Sequence, residues 1–579
     1  MRRNGFAFVL HGHLPFVLTH GRWPHGADWV NEAAAETYVP LLAMMGRLAE
    51  DGVRWKLNLD VSPVLAEQLG SEVFRREFNS YLATKISHAG ENEAEFAKRG
   101  DSRLASLARI WKDYYGEIRR EFEDRWHGNI LAGFRYFEDR DDLELMTCGA
   151  THGYLPLLGR DTAVQAQVKQ AVAAHVRHFG HAPKGIWLPE CAYRPRYPWK
   201  PPVGPSRGEF LRKGVDEFLS ENGLKYFIID THMLRGGQAV GIYLQRFGAL
   251  RELWARYEKG TERPIEAERS PHLPYWIASN PEGHAPVAAF TRDPDTGIVV
   301  WSGEHGYPGD GNYLDFHKKH FPGGLRYWRV THAKADLGDK EVYEPTAVPG
   351  RIEENASHFV GLVRKLLAGY GQEGGRRILA APFDAELYGH WWFEGVRWLE
   401  LVLRKMAECD DVEAVRLGDW LEAQPPTEVV SLPEGSWGQG GFHWIWLNEA
   451  TTWTWERIYP AEERMEKLAA ELAGMEKGGD PKAGRFRDVL RQAARELLLL
   501  ESSDWQFLIS TWSARDYAEM RLANHATDFN FAADLAEKVA RGGEPSGDEW
   551  GRLAEMRERD FVFPDIDPLW WSRVEYPAA

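Results

Sequence analysis

Two segments of the sequence place acidic side chains among aromatic ones. The first, GIWLPECAYRP, carries Glu190, and the second, APFDAELYGHWWFEG, carries Asp384 and Glu386. An isolated carboxylate is usually a solvated or salt-bridged surface group, but both of these segments follow apolar runs. Two carboxyl groups, one ionised and one held protonated by its surroundings, are the minimum equipment for cleaving a glycosidic bond. The pattern therefore favours carbohydrate chemistry.

The amino-terminal motif His11-Gly12-His13 allows a different chemistry. An HxH pair after a first strand can bind a metal, as in barrel amidohydrolases. With His152, His232 and one of the Asp residues, the pair could assemble a zinc site. The same histidines could instead hydrogen-bond a substrate or the chain itself. The Leu14-Pro15-Phe16 continuation and the two acidic segments weigh against a metal, and the residues alone leave both alternatives open.

Short apolar runs alternate with helical stretches from residue 1 to about 420. Several runs are solidly apolar, as expected of parallel strands buried on both faces. This alternation predicts an α/β barrel or a doubly wound sheet. The predicted strands are Gly5–Leu10, Trp55–Leu59, Leu143–Thr147, Gly185–Leu188, Tyr226–Ile229, Val287–Phe290, Ile298–Trp301, Arg377–Ala381 and Val412–Val415.

Titratable residues gather directly after these predicted strands. Active sites of parallel barrels are built at the carboxyl ends of the strands, so the pattern favours an enzyme over a structural protein. The residues in question are His11, His13, Asp60, His152, Glu190, Asp230, His232 and Asp384.

Two parts of the chain depart from the strand–helix alternation. The stretch 63–140 is charged and helical in pattern, and it predicts a helical insertion. Beyond Gln424-Pro425-Pro426 the composition changes, and apolar residues recur at helical spacing. We therefore predict a barrel domain at 1–62 and 141–424, an insertion at 63–140 and a C-terminal helical domain at 425–579.

Composition limits the partners and the compartment. The net charge of −16 argues against nucleic acid or an anionic membrane as the main partner. No apolar run approaches the roughly 20 residues of a membrane span, and the amino end lacks a signal-peptide pattern. The three cysteines, Cys148, Cys191 and Cys409, are expected to be free thiols in a reducing cytoplasm. The 25 Trp residues include candidate stacking platforms for sugar rings.

Five segments follow one another along the chain: HGHLPFV, ATHGYLPLL, WLPECAYRP, PFDAELYGHWWFEG and LESSDWQFLIS. They match, in order, the conserved regions of glycoside hydrolase family 57, and the chain resembles the 1,4-α-glucan branching enzymes of that family. Further likenesses are WSGEHGYPGD and WPHGADWVNEAAAETYVPLL. The resemblance implies an incomplete (β/α)7 barrel with a helical insertion and a C-terminal all-helical domain. It implies no metal or organic cofactor.

The resemblance also implies roles for individual residues. Glu190 matches the catalytic nucleophile, and Asp384 matches the general acid/base. Tyr243 matches the tyrosine of a mobile catalytic loop. The residues matching the −1 sugar subsite or other glucan contacts are His11, His13, His152, Asp504, Trp301, Trp437, Trp446 and, more distantly, Trp23 and Trp29.

The implied reaction is double displacement on an α-1,4-glucan such as amylose or glycogen. Glu190 would form a covalent glucan–enzyme intermediate, and Asp384 would then activate the 6-hydroxyl of an acceptor chain. Such a reaction requires carboxyl groups roughly 5–5.5 Å apart. The alternatives are an α-glucan hydrolase or 4-α-glucanotransferase of the same family, a metal-dependent amidohydrolase or deacetylase, and a non-catalytic glucan-binding protein. A charged insertion around 245–285 could reshape the acceptor site, shift the balance toward hydrolysis or contact another subunit.

Overall fold

The computed structural model describes residues 3–204, 208–235, 269–280, 283–302, 306–369 and 375–574. The chain divides into two units. The first comprises Met1–Asp60, Gln68–Leu145 and Arg292–Pro425, and the second comprises Val61–Glu67, Met146–Thr291 and Pro426–Ala579. The three-domain division stays a prediction.

The described residues form twelve strands, most of them short. They are β1 (Asn4–Gly12), β2 (Leu57–Val61), β3 (Leu143–Cys148), β4 (Gly185–Trp187), β5 (Tyr197–Trp199), β6 (Phe210–Arg212), β7 (Tyr226–Ile229), β8 (Tyr275–Ile277), β9 (Val287–Thr291), β10 (Ile378–Asp384), β11 (Val412–Ala414) and β12 (Val429–Val430). Eight of the predicted strands lie at these positions, with ends shifted by up to three residues.

The sheet of the first unit runs in the order β10–β1–β2 and continues to the first residues of β3, with β11 beside the start of β1. Strands β1 and β10 are parallel, in a register that pairs Gly5 with Ile378 and His11 with Asp384. The β1 side chains from Phe6 to Leu10 are completely buried, because helices cover such a sheet on both faces.

The sheet of the second unit starts from the last residues of β3 and runs in the order β4–β7–β9–β8–β12. Strands β3, β4, β7 and β9 are parallel, whereas β8 is antiparallel to β9. Strands β5 and β6 form a separate antiparallel pair. The unit also holds the long helices at the carboxyl-terminal end of the chain.

Helices surround these strands and dominate the insertion and the C-terminal part. In the first unit they are Asp28–Ala33, Val39–Glu50, Glu72–Lys98, Ser102–Arg120, Ile130–Asp139, Pro294–Trp301, Val348–Ala368, Gly395–Ala407 and Leu417–Ala423, with π-helical turns at Ala34–Tyr38 and Glu121–Arg125. Pro63–Leu69 begins in the second unit and ends in the first. In the second unit they are Asp161–Phe179, Val215–Glu221, Thr231–Arg235, Thr452–Gly478, Ala483–Leu500, Asp504–Thr511, Arg515–Ala540 and Gly547–Arg559. The helical character predicted for 63–140 and for the C-terminal part is confirmed.

One predicted strand, Ile298–Trp301, is wrong: it is the second half of the helix Pro294–Trp301. The helix begins where the Asp293 carboxylate accepts hydrogen bonds from the Thr296 backbone N–H and hydroxyl, both at 2.7 Å. Pro294 occupies the first helical position, where a missing N–H costs nothing. A short apolar run does not distinguish a strand from a buried helix. At this position the Asp293 cap favours the helix.

The described part of the chain contains no helix that is long and apolar enough to cross a membrane. All three cysteines lie in that part, where they are buried and form no disulfide.

Replacing the capping residue tests the helical assignment. We expect Asp293→Ala to destabilise the protein by about 1–2 kcal/mol, because the Thr296 N–H loses its partner. Asp293→Asn keeps an acceptor oxygen and should retain most of the stability. Thermal unfolding midpoints of the two variants measure the difference. Equal midpoints for Ala and wild type would contradict the capping role.

Candidate active site

The parallel register of β1 and β10 brings two of the predicted site residues side by side. His11 and Asp384 are register partners at the carboxyl ends of these strands. The strand residues that precede them are buried and apolar. His11 and Asp384 are therefore the first polar side chains at the carboxyl-end edge of the two strands. His11 is 3% exposed and Asp384 is 9% exposed. The first unit therefore presents an imidazole and a carboxyl group in a nearly dry setting.

Asp60, at the end of β2, holds the His11 ring. Its Oδ2 shares a hydrogen bond with His11 Nδ1. Burial raises the pKa of Asp60 well above its ordinary value, and the charge of His13 opposes this shift. The rings of His11 and His13 are stacked, with centroids 5.8 Å apart. Both predicted histidines thus have fixed orientations beside the strand that carries Asp384.

Glu386 lies two residues beyond Asp384, in the 3-10 turn Ala385–Leu387. Its Oε1 accepts a hydrogen bond from the His13 backbone N–H at 3.0 Å and another from the Tyr38 hydroxyl. Burial raises the pKa of Glu386 to about 8, the Tyr38 hydrogen bond opposes this, and the charge of Asp384 adds to it. The pKa of Tyr38 is likewise raised by burial and by Glu386.

A second buried carboxyl group, Glu36, is ionised. Its Oε2 accepts from Arg326 at 2.9 Å and from His390 at 2.8 Å. Burial alone would raise the pKa of Glu36, but Arg326 and His390 lower it to about 2. Glu36 lies on the π-helical turn Ala34–Tyr38, whose Ala35 carbonyl accepts from the Tyr114 hydroxyl at 2.9 Å. The turn thus directs Glu36 and Tyr38 toward the segment around Asp384.

In the second unit, Glu190 follows β4 in a strained backbone conformation with φ +61°. A non-glycine residue pays a few kcal/mol at most for this region, and such residues cluster at functional sites. Trp437 holds Glu190 twice: its backbone N–H donates to the Glu190 carbonyl at 3.0 Å, and its indole N–H donates to Oε2 at 2.7 Å. The other carboxylate oxygen, Oε1, lies 4.0 Å from His152 Nδ1.

His152 connects Glu190 to the helical part of the same unit. Its Nδ1 is 2.8 Å from the Ser503 hydroxyl, and its carbonyl accepts from the Ser503 N–H at 3.1 Å. The next residue, Asp504, accepts from the Ser502 hydroxyl at 2.6 Å. The second unit therefore brings together Glu190, His152, Trp437 and the segment that carries Asp504.

The remaining predicted residues have different settings. Trp446 is completely buried and stacked on Tyr154 at 4.4 Å, which gives it a packing role. Trp301 is half-buried, with Phe383 at 6.2 Å and Trp391 at 6.4 Å. Trp23 is 69% exposed, and Trp29 lies against His25.

Two further predictions concern the region after β7. Tyr243 lies outside the described residues, as does most of the predicted insertion at 245–285. His232, of the alternative metal set, is buried with its Nδ1 3.4 Å from an Asp230 carboxylate oxygen.

The residues that hold the predicted site residues in place were not themselves predicted from the sequence. Tyr38 and Glu36 lie inside the quoted segment WPHGADWVNEAAAETYVPLL, and Ser503 lies inside LESSDWQFLIS, so motif membership was the available signal. Arg326 carried no signal, because its partnership with Glu36 spans 290 positions.

Comparison with known proteins identifies the class and then the family. The solved structures that share this α/β fold are branching enzymes and an alpha-amylase, which places the chain among the carbohydrate-active enzymes. A model described as glycosyl hydrolase family 57 matches residues 7–322, and one described as 1,4-alpha-glucan branching enzyme, C-terminal, matches residues 457–571. The chain belongs to glycosyl hydrolase family 57.

Individual relatives agree with this placement. A 1,4-alpha-glucan branching enzyme of Thermococcus kodakarensis is 41% identical over 96% of this chain and 77% of its own. A crystal structure of a branching enzyme from that archaeon, in complex with glucose, has a TM-score of 0.86 at 39% identity and covers 99% of this chain and 97% of its own.

A more distant solved structure carries a different activity. The alpha-amylase AmyC of Thermotoga maritima has a TM-score of 0.79 at 26% identity and covers 99% of this chain and 100% of its own. Together these matches confirm the predicted fold class, the α/β incomplete (β/α)7 barrel.

Removing the cation beside Glu36 tests the ionised buried pair. We expect Arg326→Met to destabilise the protein by about 3–5 kcal/mol at neutral pH, because the buried charge of Glu36 would keep only His390 as a close partner. The loss should shrink as the pH falls toward about 4, where the variant's Glu36 can be protonated.

The matched control is Arg103→Met, which breaks an exposed pair with Glu344 in the same unit. This pair should be worth about 1 kcal/mol or less. Urea unfolding of both variants at two pH values is the measurement. Equal losses for Arg326→Met and Arg103→Met would contradict the interpretation.

Proposed function

We propose that this chain is a 1,4-α-glucan branching enzyme, which cleaves an α-1,4 bond and joins the released segment to a glucan 6-hydroxyl. The observation that carries this proposal is the match of residues 457–571 to a model described as the branching-enzyme C-terminal region. The 41% identity to a branching enzyme over 96% of the chain supports it. The catalytic roles below follow from the family motifs and from the geometry of each unit.

Glu190 is the nucleophile of the proposed reaction. The Trp437 indole N–H occupies Oε2, so Oε1 is the oxygen that attacks C1. A bond forms between Oε1 and C1 while the bond from C1 to the leaving oxygen breaks. The strained backbone at Glu190 and the double contact with Trp437 fix the direction of attack. Positioning of this kind lowers the activation barrier, because the carboxylate is already oriented for attack when the substrate binds.

Asp384 is the general acid and base. It protonates the leaving chain in the first step and removes the proton of the acceptor 6-hydroxyl in the second. In the first unit, His11 and His13 are the proposed sugar contacts beside Asp384. In the second unit, His152 is the proposed sugar contact beside Glu190.

Exclusion of water decides between transfer and hydrolysis. Water competes with the acceptor hydroxyl for the covalent intermediate, so a branching enzyme must hold glucan and keep water out. We assign the holding role to Trp301, with Trp23, Trp29 and Asp504 as further glucan contacts, and the exclusion of water to the segment carrying Tyr243. The fully buried Trp446 keeps a packing role.

The proposed setting is glycogen-type glucan metabolism in the cytoplasm. Three buried cysteines without a disulfide are typical of a reducing compartment. Amylose or glycogen is the substrate.

Hydrolysis is the second candidate. It is favoured by the similarity to the Thermotoga maritima alpha-amylase, which spans the whole of both chains at 26% identity. The two activities share the covalent intermediate and differ only in the acceptor.

The proposed function is tested on amylose by following iodine colour, reducing ends and the α-1,6 signal in proton NMR together. We expect iodine colour to fall and α-1,6 linkages to appear while reducing ends barely rise. Glu190→Gln should abolish the fall in iodine colour and the α-1,6 signal. Glu353→Gln, an exposed control in a surface ion pair, should leave both unchanged.

A parallel rise of reducing ends without an α-1,6 signal would contradict branching and support the amylase alternative. Stoichiometric zinc in the purified, active protein would support the metal-dependent alternative instead.

Trp437→Phe tests the hydrogen bond to the nucleophile. A hydrogen bond to a charged group contributes about 1.5–3 kcal/mol, so we expect kcat to fall about 10- to 100-fold. The phenyl ring should preserve the packing on Trp187, 5.1 Å away. Trp550→Phe in the same unit is the control. Steady-state kinetics on amylose provide the measurement, and an unchanged kcat in Trp437→Phe would contradict the positioning role.

A further inference from the structure

Glu386 joins three elements of the first unit through one oxygen atom. Its Oε1 accepts from the His13 N–H at the end of β1 and from the Tyr38 hydroxyl on the π-helical turn. Glu386 itself lies directly after β10, two residues from Asp384, and is 4% exposed. Loss of this carboxyl group would therefore release two donors and loosen the loop that carries His13.

Among the described residues, none forms a salt bridge with Glu386. In the part of the chain that the structure describes, the salt bridges of the neighbouring elements go elsewhere. Arg326 and His390 bind Glu36, and His11 binds Asp60. The His13 N–H and the Tyr38 hydroxyl that donate to Glu386 are neutral, and the charge of Asp384 acts on it. An ionised Glu386 would put a second negative charge in a buried place without a counter-charge, which is costly.

The titratable groups around Glu386 also favour its neutral, protonated form. Burial raises the pKa of Glu386 to about 8, the Tyr38 hydrogen bond opposes it, and Asp384 raises it further. His13 contributes a backbone N–H, and Tyr38 stays neutral because its own pKa is raised. The adjacent Glu36 is already neutralised by its two partners.

We propose that Glu386 keeps its carboxyl proton throughout turnover and acts as a positioning residue for His13 and Asp384. With both donors on Oε1, the proton resides on Oε2. Asp384 then carries the one negative charge at the end of β10 after it has donated its proton, and no like charge disturbs its cycle of donating and accepting a proton. This inference rests on the proposed role of Asp384, and it deepens that role.

The test compares Glu386→Gln with Glu386→Ala. The amide of Gln reproduces a neutral carboxyl group: an acceptor oxygen for His13 and Tyr38, and a donor in place of the Oε2 proton. We expect Glu386→Gln to keep kcat within about threefold of wild type at pH 6.5, and to leave the alkaline limb of the pH profile where the wild type has it. Glu386→Ala should lose about tenfold or more in kcat with little change in KM, because two buried donors lose their acceptor.

An ionised Glu386 makes the opposite prediction. Its charge would raise the pKa of the acid Asp384, so removing the charge would move the alkaline limb of Glu386→Gln down by about one pH unit or more. Such a shift, a loss of more than about tenfold in kcat for Glu386→Gln, or failure of that variant to fold would overturn the proposal.

Stability measurements separate this proposal from the proposed function. Iodine colour loss on amylose reports α-1,4 cleavage by a branching enzyme and by a hydrolase alike, so the kinetic comparison survives either activity. If the wild type is inactive on amylose, the proposed function fails, and thermal unfolding still decides the protonation state.

The unfolding test follows from proton linkage. A Glu386 that is protonated when folded and ionised when unfolded lowers stability as the pH rises from about 4.5 to 8. Gln cannot titrate, so wild type should lose stability relative to Glu386→Gln between pH 5 and 8. A constant difference between the two midpoints would overturn the proposal.

Discussion

The parallel register of β1 and β10 is the constraint on which the candidate site residues of the first unit depend. Both strands are buried along their length, and both meet polar residues only where they end. Because the register pairs His11 with Asp384, the first polar groups of the two strands appear at the same edge. A slip of one residue would turn the alternating side chains to the opposite faces. The register of β1 and β10 therefore determines both how their side chains pack in the core and where His11 and Asp384 lie.

The carboxyl groups near that edge are stabilised in different ways. Glu36 is ionised, because Arg326 and His390 compensate it, whereas Glu386 has only neutral donors and a raised pKa. Asp60 forms a hydrogen-bonded pair with His11. Each arrangement avoids an unpaired buried charge. Such a charge would cost a large part of the small free energy that stabilises a folded protein. In the second unit, Glu190 is held by hydrogen bonds from Trp437 and by its backbone conformation.

The sequence predicts the strands well where an apolar run is long and is followed at once by a polar residue, as at Phe6–Leu10 before His11. It fails at Ile298–Trp301, since a four-residue apolar run has no period of its own and the Asp293 cap determines the helix. Motif resemblance predicts catalytic roles for Glu190 and Asp384, but it does not distinguish Trp437, which hydrogen-bonds Glu190, from the buried Trp446. That difference depends on tertiary packing between distant segments. The support from Arg326 is equally non-local, so no spacing rule reveals it.

Glu190 is proposed to form a covalent bond with the glucan. To test this, the protein is reacted with a 5-fluoro-α-glucosyl fluoride and digested, and the added mass is located by peptide mass spectrometry. We expect one label per chain, on the peptide that contains Glu190, and none in Glu190→Gln. A label on another residue, or turnover of the reagent with inversion at C1 and no label, would contradict it.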